Sequence, residues 1–194
     1  MTSLLSSLRA AVMATLVLAA VTCGVYPMIV WGVSRIAFPS QAAGSLIVGP
    51  DGTVRGSRLL AQGFTAPKYF HPRPSAAGAA GYDATSSGGS NFGPTSQKLR
   101  DAIQERVAAY RQESGLKADD AVPADAVTAS ASGLDPHISP KNARIQAARV
   151  ATSRHLSAAD LEALIKAHTD GPSLGILGEP GVRVLELNLA LDRL

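Results

Sequence analysis

A chain of 194 residues has room for one membrane span and one domain of ordinary size. Aromatics make up only 5% of it, and a 17% charged fraction with a net charge of +3 and no Arg/Lys run interleaved with aromatics argues against nucleic-acid binding. Its single cysteine, Cys23, excludes an intrachain disulfide.

The first element is apolar. From Ala10 to Ser34 there is no charge, and Arg9 and Arg35 bound the run. A helix of that length reaches roughly 37 Å, beyond the roughly 30 Å hydrocarbon core. Tyr26 and Trp31 fall near its C-terminal end, where amphipathic rings favour the headgroup level. Pro27 removes one backbone donor and predicts a kink. A cleaved signal peptide would carry a shorter apolar region and an A-x-A-like exit, and Ala20-Val21-Thr22-Cys23 does not match a lipoprotein signal. The run therefore predicts an uncleaved anchor, with residues 1–9 before it and 35–194 after it. Arg9 and the terminal amine face Arg35, so charge bias does not orient the span.

Beyond the span, Ser45–Val48 and Thr53–Leu60 flank Gly49-Pro50-Asp51-Gly52 and predict a hairpin. Residues 62–96 are punctuated by Pro67, Pro72, Pro74, Pro94 and several glycines, which predicts a long irregular segment. Leu99, Ile103, Val107 and Tyr110 follow helical spacing, and Gly115 supplies a stop. Lys117–Ala121 reads as an exposed connector. Ser139-Pro140 forms an N-cap and N1 pair for a helix through about Thr152. Ser157 and Asp160 resemble a capping box for a helix carrying Leu161, Leu164 and Ile165, ended by Gly171-Pro172. Glu162 and Lys166 have the spacing of an i,i+4 pair on its outer face. Residues 182–194 fit a strand through Leu185, Leu187, Leu189 and Leu191, and equally a helix through Val184, Leu187, Leu191 and Leu194. The expected fold is one N-terminal transmembrane α-helix followed by a mixed α+β soluble domain.

Several chemistries are missing from the sequence. It contains no G-x-x-x-x-G-K-[ST] phosphate loop and no Asp-Lys-Thr-Gly stretch for an aspartyl-phosphate intermediate. One span cannot line a pore by itself. His71, His137, His155 and His168 lack paired metal-ligand spacing, so no metal site is predicted. Asp135 and His137 invite a hydrolase triad, but no G-x-S-x-G elbow accompanies them, and no catalytic residue is assigned.

Three segments could carry a site. In the first, Ser86 to Asn91, Gly88 and Gly89 let backbone N–H groups approach an anion or another chain closely, or simply turn the chain into the following helix. The second, residues 129–140 with Asp135 and Ser139, leads into a helix N-terminus. From Pro136 to Ala159 there is no acidic residue, while Lys141, Arg144, Arg149 and Arg154 are present. That face could meet nucleotide phosphates or an acidic partner, or be a solvated basic face. In the third, Tyr69 to Ser75, prolines around Arg73 stiffen a loop presenting His71 and Arg73, with Tyr69 and Phe70 available for core packing.

Taken in order, these motifs carry a resemblance. Tyr26-Pro27, Phe38-Pro39-Ser40-Gln41-Ala42, Gly44-Ser45-Leu46-Ile47, Tyr69-Phe70-His71 and Arg73-Pro74-Ser75-Ala76 come first. Ser87-Gly88-Gly89-Ser90-Asn91, Val127-Thr128-Ala129-Ser130, Ser132-Gly133-Leu134-Asp135, Ile138-Ser139-Pro140 and Leu185-Glu186-Leu187-Asn188-Leu189 follow. The chain resembles the C subunit of the Kdp-type potassium-transporting ATPase of bacteria along almost its whole length. Pro72 and Ala148 depart from it, standing where the family commonly has Gly and Pro.

The resemblance implies a non-catalytic, single-pass subunit of the bacterial inner membrane with a cytoplasmic N-terminus and an extracytoplasmic C-terminal domain. It implies membrane lipid, a channel-like A subunit, an ATP-hydrolysing B subunit and a small F subunit as partners in high-affinity K⁺ import. It also implies a catalytic-chaperone role raising the ATP affinity of the B subunit, with Gln146 as the nucleotide contact and ATP bound only in the complex. ATP is cytoplasmic, so for a domain on the other side that effect is indirect unless the topology is reversed. The subunit-contact candidates are Pro27, His71, Arg73, Ser87, Gly88, Gly89, Asn91, Asp135 and Ser139. The alternative is a stand-alone, membrane-anchored solute-binding or hydrolytic domain.

Overall fold

The computed structural model describes residues 2–194, and the chain divides into two compact units, Met1–Leu46 and Ile47–Leu194. The first unit is dominated by one long helix. It runs as α1 (Thr2–Ala19), a π-helical turn (Ala20–Val25) and α2 (Tyr26–Ala37), followed by the single turn α3 (Pro39–Ala42). Residues Ser3–Ala37 are long and apolar enough to cross a membrane, with none of the most apolar window buried by protein. The helix continues past Arg9 and Arg35, because charge limits an apolar window while leaving backbone hydrogen bonding intact. Thr15 and Thr22 donate their hydroxyls to the carbonyls of Ala11 (2.8 Å) and Leu18 (2.7 Å), so these polar groups are satisfied within the helix.

The π turn explains how Pro27 is accommodated. Proline has no N–H to give, and in α geometry its ring meets the carbonyl four residues back. Widening the preceding turn, with the Tyr26 N–H donating to the Val21 carbonyl five residues back, makes room for the ring.

β1 (Leu46–Val48), which begins on the last residue of the first unit, and β2 (Val54–Ser57) form the expected hairpin, with a shorter second strand. Its turn is held by Asp51, whose carboxylate accepts from the Thr53 hydroxyl (2.7 Å) and pairs with Arg55 (2.7 Å). Residues 58–96 contain no helix or strand. Then come α4 (Gln97–Ser114), α5 (Ala124–Val127), β3 (His137–Ile138), α6 (Pro140–Arg154), α7 (Ala158–Ala167), β4 (Thr169–Asp170), β5 (Gly181–Arg183) and α8 (Val184–Leu191). The three short strands make an antiparallel sheet in the order β3-β5-β4.

The caps fall where the sequence places them. Gly115 ends α4 in the left-handed region at φ 65°. Ser139 Oγ accepts from the Asn142 N–H (3.1 Å) at the start of α6, and Ser157 Oγ from the Asp160 N–H (3.1 Å) at α7. Two expectations are corrected. Glu162 turns to Arg144 of α6 (3.0 Å), because packing brings that guanidinium to its face. Helix α7 stops at Ala167, before Gly171-Pro172, because Thr169 and Asp170 are taken up as a strand against β5.

The ambiguous C-terminal segment is both elements in turn. Val182 pairs with Ile138 and Thr169 in the sheet, and α8 then buries Val184, Leu187 and Leu191 on one face. The core joins Phe70, Ile138, Val150, Leu161, Ile165, Val182 and Leu187, so the irregular segment contributes its own anchor through Phe70.

Candidate functional site

Two buried amides hold the irregular segment against the helices. Asn188 of α8 accepts from the Phe70 N–H through Oδ1 (2.8 Å) and donates Nδ2 to the Phe70 carbonyl (2.8 Å). Gln146 of α6 does the same for the next residue, accepting from the His71 N–H at Oε1 (2.7 Å) and donating Nε2 to its carbonyl (3.1 Å). Each side chain thereby takes the place of a neighbouring strand, and four backbone groups that lack a sheet are satisfied.

Gln146 is also bound sideways. Its Nε2 donates to Asn142 Oδ1 (2.9 Å), and its Oε1 accepts from Arg149 Nη2 (2.9 Å). Asn142 continues the network, accepting from the Tyr110 hydroxyl (2.8 Å) and donating to Asp125 (3.0 Å). Asp125 also accepts from the backbone N–H (2.7 Å) and hydroxyl (2.9 Å) of Ser139. The sequence-predicted Ser139 thus caps α6 and fastens α5 to it. Gln146 is only 2% exposed and lines a cavity of about 170 Å³ with His71, Tyr110, Glu113 and Asn142. Contact between its amide and a nucleotide would release hydrogen bonds that hold the loop.

His71 is fixed at both ring nitrogens, Nδ1 lying 2.9 Å from Glu113 and Nε2 3.1 Å from the Ala66 carbonyl. Burial, reinforced by the Arg149 guanidinium, pushes its pKa below the ordinary imidazole value, against the pull of the Ala66 carbonyl and Glu113. Glu113 also lies 3.0 Å from Arg149 Nε.

A second cluster is a string of alternating charges. Arg73 donates to Asp135 (2.9 Å), Asp135 lies 3.6 Å from His137 Nδ1, His137 Nε2 lies 3.3 Å from Asp170, and Asp170 lies 3.4 Å from Arg183. Arg183 reaches Glu186 (3.0 Å), which also pairs with Arg58. Burial alone would raise the Asp135 pKa, but hydrogen bonds from His137 and Arg73 bring it down to about 2. The hydrogen bond to Asp135 raises His137 above the ordinary imidazole value, against desolvation and with help from Asp170. A serine nucleophile would need the place on Nε2 that Asp170 takes.

The glycine-rich segment meets another stretch of backbone, and that stretch belongs to the same chain. The Gly88 N–H donates to the Ser132 carbonyl (2.9 Å), and Ser87 Oγ donates to that same oxygen (3.0 Å). A Cβ on Gly89 would stand 3.0 Å from the Ala131 carbonyl oxygen. Gly133, at φ 67°, would place one 2.7 Å from both the Ala77 nitrogen and the Gly88 oxygen. Ser75 Oγ ties the same loops together by donating to the Gly133 carbonyl (2.6 Å).

Three arginines on the basic stretch are engaged internally. Arg144 pairs with Glu162; Arg149 meets Glu113 and donates to the carbonyls of Pro67 and Tyr69; Arg154 pairs with Asp192 (2.6 Å) and donates to Lys68 and Leu191. Their counter-charges come from α4 (Glu113), the adjacent α7 (Glu162) and the residue that follows α8 (Asp192).

The three sequence segments therefore converge, with Arg73, Ser87, Gly89, Asp135 and Ser139 in one continuous loop cluster beside Gln146. Asn91 adopts a left-handed φ of 54° and stays exposed. Pro27 belongs to the helical unit and is exposed there. Sequence reasoning missed Asn142, Asn188, Glu113, Asp125 and Asp170. A signal existed for two of them. Asn188 is a lone amide within an apolar run, and Asn142 stands one helical turn before Gln146.

A family model described as KdpC, the K⁺-transporting ATPase c chain, matches residues 8–193. The chain is 57% identical over 179 residues to the potassium-transporting ATPase KdpC subunit of Mycobacterium tuberculosis (strain ATCC 25618 / H37Rv), covering 92% of this chain and 94% of the relative. It is 52% identical over 192 residues to the subunit of that name in Nitratidesulfovibrio vulgaris (strain DSM 19637 / Miyazaki F), covering 98% and 96%. Against that of Geobacter sulfurreducens (strain ATCC 51573 / DSM 12127 / PCA) the identity is 47% over 190 residues, covering 98% and 99%. Matched nearly end to end by the family model and by relatives at this identity, the chain belongs to the KdpC family.

Proposed function

We propose that the chain is a non-catalytic accessory subunit of a potassium-transporting ATPase, anchored by its N-terminal helix and acting through contacts with the other subunits. The carrying observation is the saturation of its polar residues. His71, Arg73, Asp135, Ser139 and Gln146 are each bound by other groups of the same chain, as befits a rigid docking body. The membrane is the bacterial inner membrane, the N-terminus is cytoplasmic, and residues 35–194 stand outside.

In this reading the channel-like A, ATP-hydrolysing B and small F subunits are the partners, and K⁺ import is the activity of the whole complex. Pro27 in the helix and the turn at Ser87–Asn91 are the contact candidates that remain accessible. Any effect on ATP affinity is indirect, and the internal bonds of Gln146 support that. A photoreactive ATP analogue applied to the assembled complex should label the ATP-hydrolysing subunit and leave this chain unlabelled; an adduct at Gln146 would overturn the indirect mechanism. For the accessory role itself, the complex is purified in detergent through a tag on a different subunit. This chain should co-purify, and Asn91→Ala should lower its recovery several-fold. Its absence from a transport-competent complex would refute the role.

A further inference from the structure

Between β4 and β5 the chain makes a protruding hairpin whose tip is apolar. Leu174 is 89% exposed, Ile176 81% and Leu177 58%, the first two more exposed than any other large apolar residue beyond the helical unit. The hairpin is nevertheless built. The Ser173 N–H donates to the Leu177 carbonyl (2.8 Å), the Leu177 N–H to the Ser173 carbonyl (2.9 Å), and the Gly175 N–H to the Pro172 carbonyl (3.0 Å). Its base is pinned by the pairing of Asp170 with Gly181 and by the contacts of the Asp170 side chain with His137 and Arg183. Leu174 is held at φ 55°, a left-handed conformation that is costly for a leucine and that asparagine or glycine would adopt more easily. A bulky apolar residue kept in a strained position, with almost no contact in its own domain, fits a knob whose socket lies elsewhere.

The charge around the knob selects the socket. Ser173, Leu177 and Glu179 form one wall of a cleft of about 720 Å³, which Asp125, Asp135 and Asp170 also line, against only Arg73 and His137. Within 171–180 the only charge is Glu179, and among the described residues none forms an ion pair with it. Asp135 and Asp170 are paired with Arg73, His137 and Arg183, which leaves Glu179 as the hairpin's free charge; self-association through this hairpin would bring Glu179 against Glu179, and an anionic lipid surface would repel it. The tip also lacks the Trp, Tyr, Lys or Arg that anchor an interfacial segment.

We propose that the 171–180 hairpin is a docking knob that inserts Leu174 and Ile176 into an apolar socket rimmed by Lys or Arg on another subunit of the potassium-transporting ATPase, with Glu179 meeting the basic rim. This rests on the accessory-subunit reading and adds the surface and the chemistry of the partner.

The test uses the full-length chain expressed with the other subunits and recovered through a tag on one of them. Leu174→Asp with Ile176→Asp should reduce recovery of this chain at least tenfold, and Glu179→Lys several-fold. Leu194→Asp, at a terminus that is also exposed, should leave recovery unchanged. Thermal unfolding of each variant chain alone should fall no lower than that of the wild type, since the altered side chains are exposed and aspartate tolerates the left-handed backbone at 174 better than leucine. A photo-crosslinking residue placed at Ile176 should yield an adduct with another subunit of the complex. Adducts with lipid or with a second copy, or undiminished recovery of the double variant, would overturn the knob. Failure of the wild-type chain to co-purify would instead count against the accessory role.

Discussion

At the scale of single residues, most of the polar residues singled out from the sequence work by binding other parts of the same chain. Gln146 is the sharpest case. Removing its amide as Gln146→Ala strands the N–H and carbonyl of His71, each costing roughly 1–3 kcal/mol when left unpaired, while the Asn142 oxygen keeps its bond from the Tyr110 hydroxyl. Chemical denaturation of the full-length chain in detergent should therefore show a loss of about 2–4 kcal/mol, and Asn188→Ala should show a similar one. His137 predicts a pH dependence. Its folded-state pKa lies above the ordinary value, so its contribution is complete below about pH 6.5 and fades as pH rises through the folded value. His71 and His168 are shifted downward by burial and act in the opposite sense, so the comparison must be with His137→Gln, in which both are retained. The midpoint gap between wild type and His137→Gln should be widest near pH 5.5 and close towards pH 8.5. A gap independent of pH would show that the Asp135–His137–Asp170 string does not depend on the imidazolium.

At the scale of elements, the loops are the informative part. Residues 58–96 have no regular structure, yet Phe70 and His71 are tied to α8 and α6 and Gly88 to the 130–133 turn. Gly133→Ala tests that packing, because its Cβ would be forced to 2.7 Å from two backbone atoms in a conformation unfavourable to alanine. It should cost well over 1 kcal/mol, whereas Gly88→Ala, with open space at its Cβ, should stay within about 0.5 kcal/mol. Equal costs would mean that the two loops do not pack as described. Ser139→Ala removes both an N-cap and a donor to Asp125, and a loss of about 1–2 kcal/mol is expected in the same denaturation assay. Helix starts and stops were legible because Ser139-Pro140, Ser157 and Gly115 act locally. The end of α7 was not, since β4 exists only through its pairing with β5. The choice between strand and helix in 182–194 was likewise hidden, because both periodicities place leucines on an apolar face.

For the whole molecule, the orientation of the N-terminal helix tests the proposal that any effect of this chain on ATP affinity is indirect. A C-terminal alkaline phosphatase fusion should be active in cells, and a C-terminal fluorescent protein that matures only in the cytoplasm should stay dark. The reverse pattern would place the domain beside ATP. From the sequence alone, the apolar run from Ala10 to Ser34, the helix caps, the hairpin at Gly49–Gly52 and the order of family motifs can all be read. Each is decided within a few turns of chain or by recognition of short words. Tertiary structure alone decided that Gln146 and Asn188 clamp Phe70 and His71, that Arg144, Arg149 and Arg154 of α6 pair with Glu162, Glu113 and Asp192, and that the glycines at 88 and 89 serve a neighbouring loop. Those partners lie tens of residues apart, and nothing local in a sequence records which buried amide or carboxylate will face which backbone group.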